Sequence, residues 1–82
     1  MARRSPADAE ARREYIVSYG LVPGVRVRDT AFEVPPKFAR VLGHTAAYMT
    51  RIEYESADDQ KLHGAALLVN PTRLRPAPKA AS

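Results

Sequence analysis

The stretch AALLVNPTRLRPAP, residues 65–78, decides how this chain folds. An apolar run ends at Asn70-Pro71, and a single leucine, Leu74, returns between Arg73 and Arg75. Pro71 has no amide hydrogen to give a sheet and holds φ near helical values, while a residue before proline is driven toward extended backbone. Extended chain to Asn70, one tight turn over Pro71-Thr72-Arg73 and an inward Leu74 predict a strand, a one-turn 3₁₀ link and a last short strand. On this reading Leu74 plugs the base of the core, and Arg73 and Arg75 stay in solvent. Pro76 and Pro78 predict the end of the ordered chain, with 77–82 as a flexible tail.

Upstream, the pattern remains that of a sheet. Leu62 to Val69 reads as the strand preceding the link, apolar on both faces toward its end and so central or covered by a second copy. Ser56-Ala57-Asp58-Asp59-Gln60 reads as a polar hairpin turn. Ala47 to Glu55 alternates most cleanly: Tyr48, Thr50, Ile52 and Tyr54 point one way, and Met49, Arg51, Glu53 and Glu55 the other. Phe38 to Gly43 reads as a further strand, and Asp29 to Pro36, with Pro35-Pro36, as a long loop. Val25-Arg26-Val27-Arg28 alternates apolar and basic, the mark of a half-buried strand. Leu21-Val22-Pro23-Gly24 is a turn. Before it, Ser5-Pro6 and the acid Asp8 predict a helix start and Gly20 a stop, giving a helix from Pro6 to Tyr19. Ala7, Ala11, Tyr15 and Tyr19 form its apolar stripe, with Ile16 beside it.

Eighty-two residues make one small domain, with 1–5 as a flexible basic lead and 6–76 as the folded body. A chain this short buries only about 60–65% of the surface its unfolded form exposes, so it needs help from disulfides, metals or partner subunits. There is no cysteine, which excludes disulfides and thiolate zinc sites. His44 and His63 cannot fill a metal site unaided and read as plain surface or edge residues. Self-association through Leu62–Val69 is the expected aid. No apolar run approaches the length of a membrane span, and the N-terminus has no signal-peptide core, so the reading is a cytoplasmic protein with no membrane partner.

Formal net charge is +4, unevenly placed. Residues 1–28 carry six arginines against Asp8, Glu10 and Glu14, and 61–82 carry Lys61, Arg73, Arg75 and Lys79 with no acid. Residues 29–60 carry six acids against Lys37, Arg40 and Arg51. If the fold joins its ends, the molecule has a positive pole.

VRVRD, FARVLGH followed by YMTRIEYE, and LLVNPTRLRP together resemble the small five-stranded barrel of the Src-homology-three type, which includes KOW and Tudor modules. The resemblance covers about residues 24–76. It implies a mainly β fold, an N-terminal α-helix followed by that barrel, whose first and last strands lie side by side. Trimethoprim-insensitive dihydrofolate reductases are also built on such barrels. They line their pore with a Val-Gln-Ile-Tyr run where this chain has Ala66-Leu67-Leu68-Val69, so the groups that hold folate and nicotinamide are missing.

Adjacent end strands would bring Arg26 and Arg28 to Arg73 and Arg75. With Arg4, Arg12 and Arg13 these make a candidate phosphate-binding patch, against the plain alternative of a solvated surface. Tyr48 and Tyr54 share a face with Ile52 and read as core or rim. Phe32 reads as exposed in the long loop, where Glu33 would suit a basic partner. Asp58-Asp59 pair by sequence only, and there is no nucleophile motif or phosphate-cradling glycine loop, so no catalytic residue, cofactor or metal is expected. The expectation is a non-enzymatic bacterial or phage-type regulatory module that binds nucleic acid, DNA or RNA, or supports a nucleoprotein complex. The alternative is a protein–protein adaptor or inhibitor that docks through the barrel edge or the Asp29–Pro36 loop.

Overall fold

The computed structural model describes residues 6–78, so the expectations for Arg4, for the Ser5 cap and for 79–82 lie outside the described residues. Helix α1 (Pro6–Tyr19) has the predicted bounds. Gly20 ends it at φ +64°, where a left-handed residue lets two amides turn back onto the last carbonyls. Gly20 N donates to Val17 O at 3.3 Å and Leu21 N to Ile16 O at 3.0 Å. The buried stripe is not the predicted one. Arg12 and Ile16 face inward with Tyr15 half-buried beside them, whereas Ala11 and Tyr19 are exposed. The helix turns its largest branched side chain to the core, since alanine offers little area to bury.

Five strands follow, β1 (Arg26–Asp29), β2 (Lys37–His44), β3 (Thr50–Tyr54), β4 (Leu67–Val69) and β5 (Leu74–Pro76), in the antiparallel order β4-β3-β2-β1-β5. The β3 alternation holds: Thr50, Ile52 and Tyr54 are buried and Arg51 is exposed. That strand starts later than predicted. Tyr48 sits before it in the turn at φ +63°, its ring still packed against the core.

Two expectations fail here. The polar turn over 56–60 and the long strand Leu62–Val69 are replaced by helix α2 (Ala57–His63) and a three-residue β4. Asp58 and Asp59 lie in the first turn of α2, Lys61 and His63 in its last, the placement a helix dipole favours. Gly64 stops it at φ +94°. β4 and β5 lie at the two ends of the sheet and do not pair with each other. The sheet is therefore open, an α/β arrangement rather than a closed barrel.

The closing stretch behaves as its residues require. A 3₁₀ turn spans Pro71–Arg73, and the Asn70 side chain accepts from Thr72 N at 3.0 Å, capping it. Pro76 ends β5, an edge strand where a missing amide hydrogen is harmless. Leu74 is fully buried among Ile16, Leu21, Val27, Ala39, Val41, Ile52, Tyr54 and Val69. Tyr15 on α1 donates its hydroxyl to Leu74 O at 2.7 Å, tying helix to last strand. Among the described residues no helix is long and apolar enough to cross a membrane. Leu74→Ala should cost about 2–5 kcal/mol of unfolding free energy; a urea midpoint unchanged from wild type would show that Leu74 is not the plug.

Candidate nucleic-acid interface

The register sorts the arginines by face. Paired residues in neighbouring strands share a face, and successive residues alternate. Val27 and Asp29 of β1 turn inward and are fully buried. Arg26 and Arg28 turn outward. Arg28 lies opposite Phe38 of β2 on one side and opposite Arg75 of β5 on the other. Arg26 lies opposite Arg40, and Arg40 opposite Glu53. The outer face thus carries Arg26, Arg28, Arg40 and Arg75, with Phe38 opposite Arg28, and Arg51 farther along opposite Gly43 and Leu68.

These cations divide into two kinds. Arg26 is held by Glu55, through Nε to Oε2 at 2.7 Å and Nη2 to Oε1 at 2.9 Å. It also donates to Pro78 O and lies 4.1 Å over the Phe38 ring. Arg40 is paired with Glu53 at 2.9 Å. Arg28 and Arg51 have no acid partner among the described residues. Arg75 has none either; its guanidinium lies 5.3 Å from the Tyr15 ring centroid and 5.2 Å from that of Tyr19. Those two rings are themselves 4.5 Å apart. Arg28 and Arg75 are thus opposed in register with no acid bridging them among the described residues, and the Arg75 guanidinium is turned toward α1.

Three predicted patch residues do other work. Arg73 is only partly in solvent: it grips buried Asp29 with Nε to Oδ1 at 2.9 Å and Nη2 to Oδ2 at 2.6 Å. Arg12 is 7% exposed and donates Nε to Ala47 O at 2.9 Å, linking α1 to the β2–β3 connection, while its Nη2 has no partner. Arg26 is neutralised as described. Arg13 remains exposed on α1 beside Glu10 and Tyr48. Of the seven arginines, Arg13, Arg28 and Arg75 are available to an anion, and Arg51 joins them on a strand that sequence reasoning did not count.

Other side chains also change places. Phe32 is not an exposed platform but packs edge-on against Tyr54 at 6.5 Å and beside His63 at 5.8 Å, with Lys37 Nζ at 5.1 Å. Glu33 is exposed, as the loop requires. His63 sits in the last turn of α2 rather than in a strand, and Asp59 pairs with Lys37 across to β2. His44 is more than a surface residue. Its Nε2 lies 2.6 Å from Leu21 O and its Nδ1 2.9 Å from Thr50 Oγ1. A carbonyl only accepts, so Nε2 carries the hydrogen and donates to Leu21 O. Among the described residues no group of histidine, aspartate and glutamate side chains gathers as a metal site.

The deepest polar cluster is Asp29, Arg73 and Tyr54. Besides Arg73, the Asp29 carboxylate accepts from Tyr54 Oη at 2.6 Å and from Ala31 N at 3.0 Å. Burial alone would push this carboxyl up, but the hydrogen bonds from Arg73, Tyr54 and Ala31, with the charge of Arg73, bring it below its ordinary value. Burial, then the hydrogen bond to Asp29 and its charge, push the Tyr54 phenol up to about 12. One signal could have found this cluster: continuing the VRVRD alternation puts Asp29 on the inner face with Val27, where a charge demands a partner. No protein-family model, curated protein or solved structure matches the chain.

The linkage signs follow from these shifts. A carboxyl lowered in the fold contributes stability above its unfolded value near 3.9, lost as pH falls through the folded value. A phenol raised in the fold contributes stability in full below its unfolded value near 10, lost as pH climbs through about 12. The urea midpoint should therefore fall between about pH 10 and 12, and Tyr54→Phe should flatten that fall. Equal alkaline slopes in both proteins would show that the phenol is not held.

Proposed function

We propose that this chain is a small non-enzymatic regulatory module of a cytoplasmic, bacterial or phage setting that binds nucleic acid through the outer face of its sheet, alone or within a nucleoprotein complex. The observation that carries this reading is the cross-strand pair Arg28 and Arg75, opposed in register without an acid between them. Arg51 on the same face and Arg13 on α1 extend the set. Opposite charges in such cross-strand positions add stability, and like charges do not. A polyanion supplies the missing negative charge, and phosphate contacts are sequence-independent and salt-sensitive. The order β4-β3-β2-β1-β5 with its one-turn link is compatible with an opened relative of the Src-homology-three-type barrel, a scaffold that hosts many activities and assigns none by itself.

The adaptor reading has its own observation. The outer edge of β4 is unpaired, and Leu68 on that strand and Leu62 on α2 are 49% and 75% exposed. A protein strand, or a second copy meeting at Leu62–Val69, would add to this edge. The Asp29–Pro36 loop supports it less, since Phe32 is turned inward and Glu33 and Val34 alone offer contact.

The two readings separate on Arg28→Glu. This variant creates an opposite-charge pair with Arg75 and should raise stability by about 0.2–1 kcal/mol. Oligonucleotide affinity should meanwhile drop. Wild-type affinity should fall roughly ten- to fortyfold between 50 and 200 mM salt, as expected for two or three phosphate contacts. Retained oligonucleotide binding in Arg28→Glu, or none in wild type at low salt, would contradict the proposal.

A further inference from the structure

We infer that the outer face takes single-stranded nucleic acid in preference to duplex, with Tyr19 and the adjoining Tyr15–Arg75 stack as its base platform. This rests on the phosphate-binding reading above and adds the form of the ligand. Across β5, β1 and β2 the register lines up Arg75, Arg28 and Phe38 in one row on the outer face. Beyond Arg75, at the end of α1, stand Tyr15 and Tyr19. At the other end of the row, Phe38 is covered by the Arg26 guanidinium at 4.1 Å. Two cations without an acid partner among the described residues thus have aromatic rings at either end of their row.

The roles of these surfaces differ. Tyr15 is half-buried, its hydroxyl fixed to Leu74 O at 2.7 Å, so it serves as a rigid base. Tyr19, the last residue of the helix, packs on Tyr15 and Arg75 yet is 42% exposed and makes no side-chain hydrogen bond among the described residues, so part of its ring is open to solvent. With Arg75 over both rings, the group presents an aromatic face next to a positive charge. Phosphates alone need only the cations. An exposed ring beside them gains contact only when a base face is free, as in a single strand; in a duplex the faces are already stacked inside. Arginine planes likewise accept an unstacked base, which gives the Arg26–Phe38 end a matching part.

The test compares labelled twelve-nucleotide oligothymidylate, oligouridylate of the same length, and a mixed-sequence duplex matched in phosphate number, by fluorescence anisotropy at low salt. The proteins are wild type, Tyr19→Ala and Tyr19→Phe. Wild type should bind at least one single strand about tenfold more tightly than duplex, the order of one base–aromatic stack. Tyr19→Ala should lose that margin while leaving duplex binding and its salt dependence unchanged, and Tyr19→Phe should keep it. The two single strands distinguish RNA from DNA as the source. Salt-dependent binding of duplex and single strand at equal affinity, indifferent to Tyr19→Ala, overturns the stacking inference and leaves the phosphate reading standing. Absence of binding to all three probes overturns both.

Discussion

A fully buried carboxylate sets the terms for the rest of this molecule. Asp29 ends β1 on the inner face of the sheet, where an isolated charge would cost many kilocalories per mole. It is made tolerable by four hydrogen bonds, from both ends of the Arg73 fork, the Tyr54 hydroxyl and the Ala31 amide. Each donor comes from a different part of the chain: the 3₁₀ turn, β3 and the loop after β1. Satisfying Asp29 therefore fixes where the last strand begins. Thr30 completes the arrangement by donating both its amide and its hydroxyl to Arg73 O, at 2.8 and 2.7 Å. With that turn held against β1, Leu74 has one place to go, and β5 pairs alongside Arg28.

The same constraint divides the arginines between those held by the fold and those left without an acid partner among the described residues. Arg73 and Arg12 are absorbed by the fold, one by a carboxylate and one by a backbone carbonyl. Arg26 and Arg40 are neutralised by glutamates on or just after β3. What remains on the outer face is a smaller set than the sequence count suggests, yet a more telling one. Exposed ion pairs contribute little to stability, so leaving Arg28 and Arg75 without them forfeits little. Their opposition in register is the feature on which the proposed anion binding rests.

Much of the sheet was legible in the residues. Proline chemistry at Asn70-Pro71 located the one-turn link, and period-two alternation located the β3 face, because both effects are local to a few residues. Helix α1 was legible from proline and glycine at its ends, but its buried face was not: alanines read as apolar bury too little to compete with Ile16. Helix α2 was missed because ADDQKLH satisfies a polar turn and a short amphipathic helix equally well. Its choice is made by tertiary contacts, among them Gln60 Nε2 donating to Tyr54 O at 2.7 Å and His63 packing 5.2 Å from the Tyr54 ring. In the candidate site, which arginines stay free depends on cross-strand register, and pairing partners 29 or 44 residues apart leave no local trace.

The account stands on the Asp29–Arg73 clamp, and a double-mutant cycle in urea unfolding tests it most directly. Arg73 is partly exposed, which discounts the pair for screening, yet removing either partner alone strands a buried group. Asp29→Asn and Arg73→Met should each cost about 2 kcal/mol or more, and the double variant should cost less than their sum by at least about 1 kcal/mol. Strictly additive costs, or a single substitution without effect, would show that the chain is not pinned there and that the placement of β5 beside Arg28 has another origin.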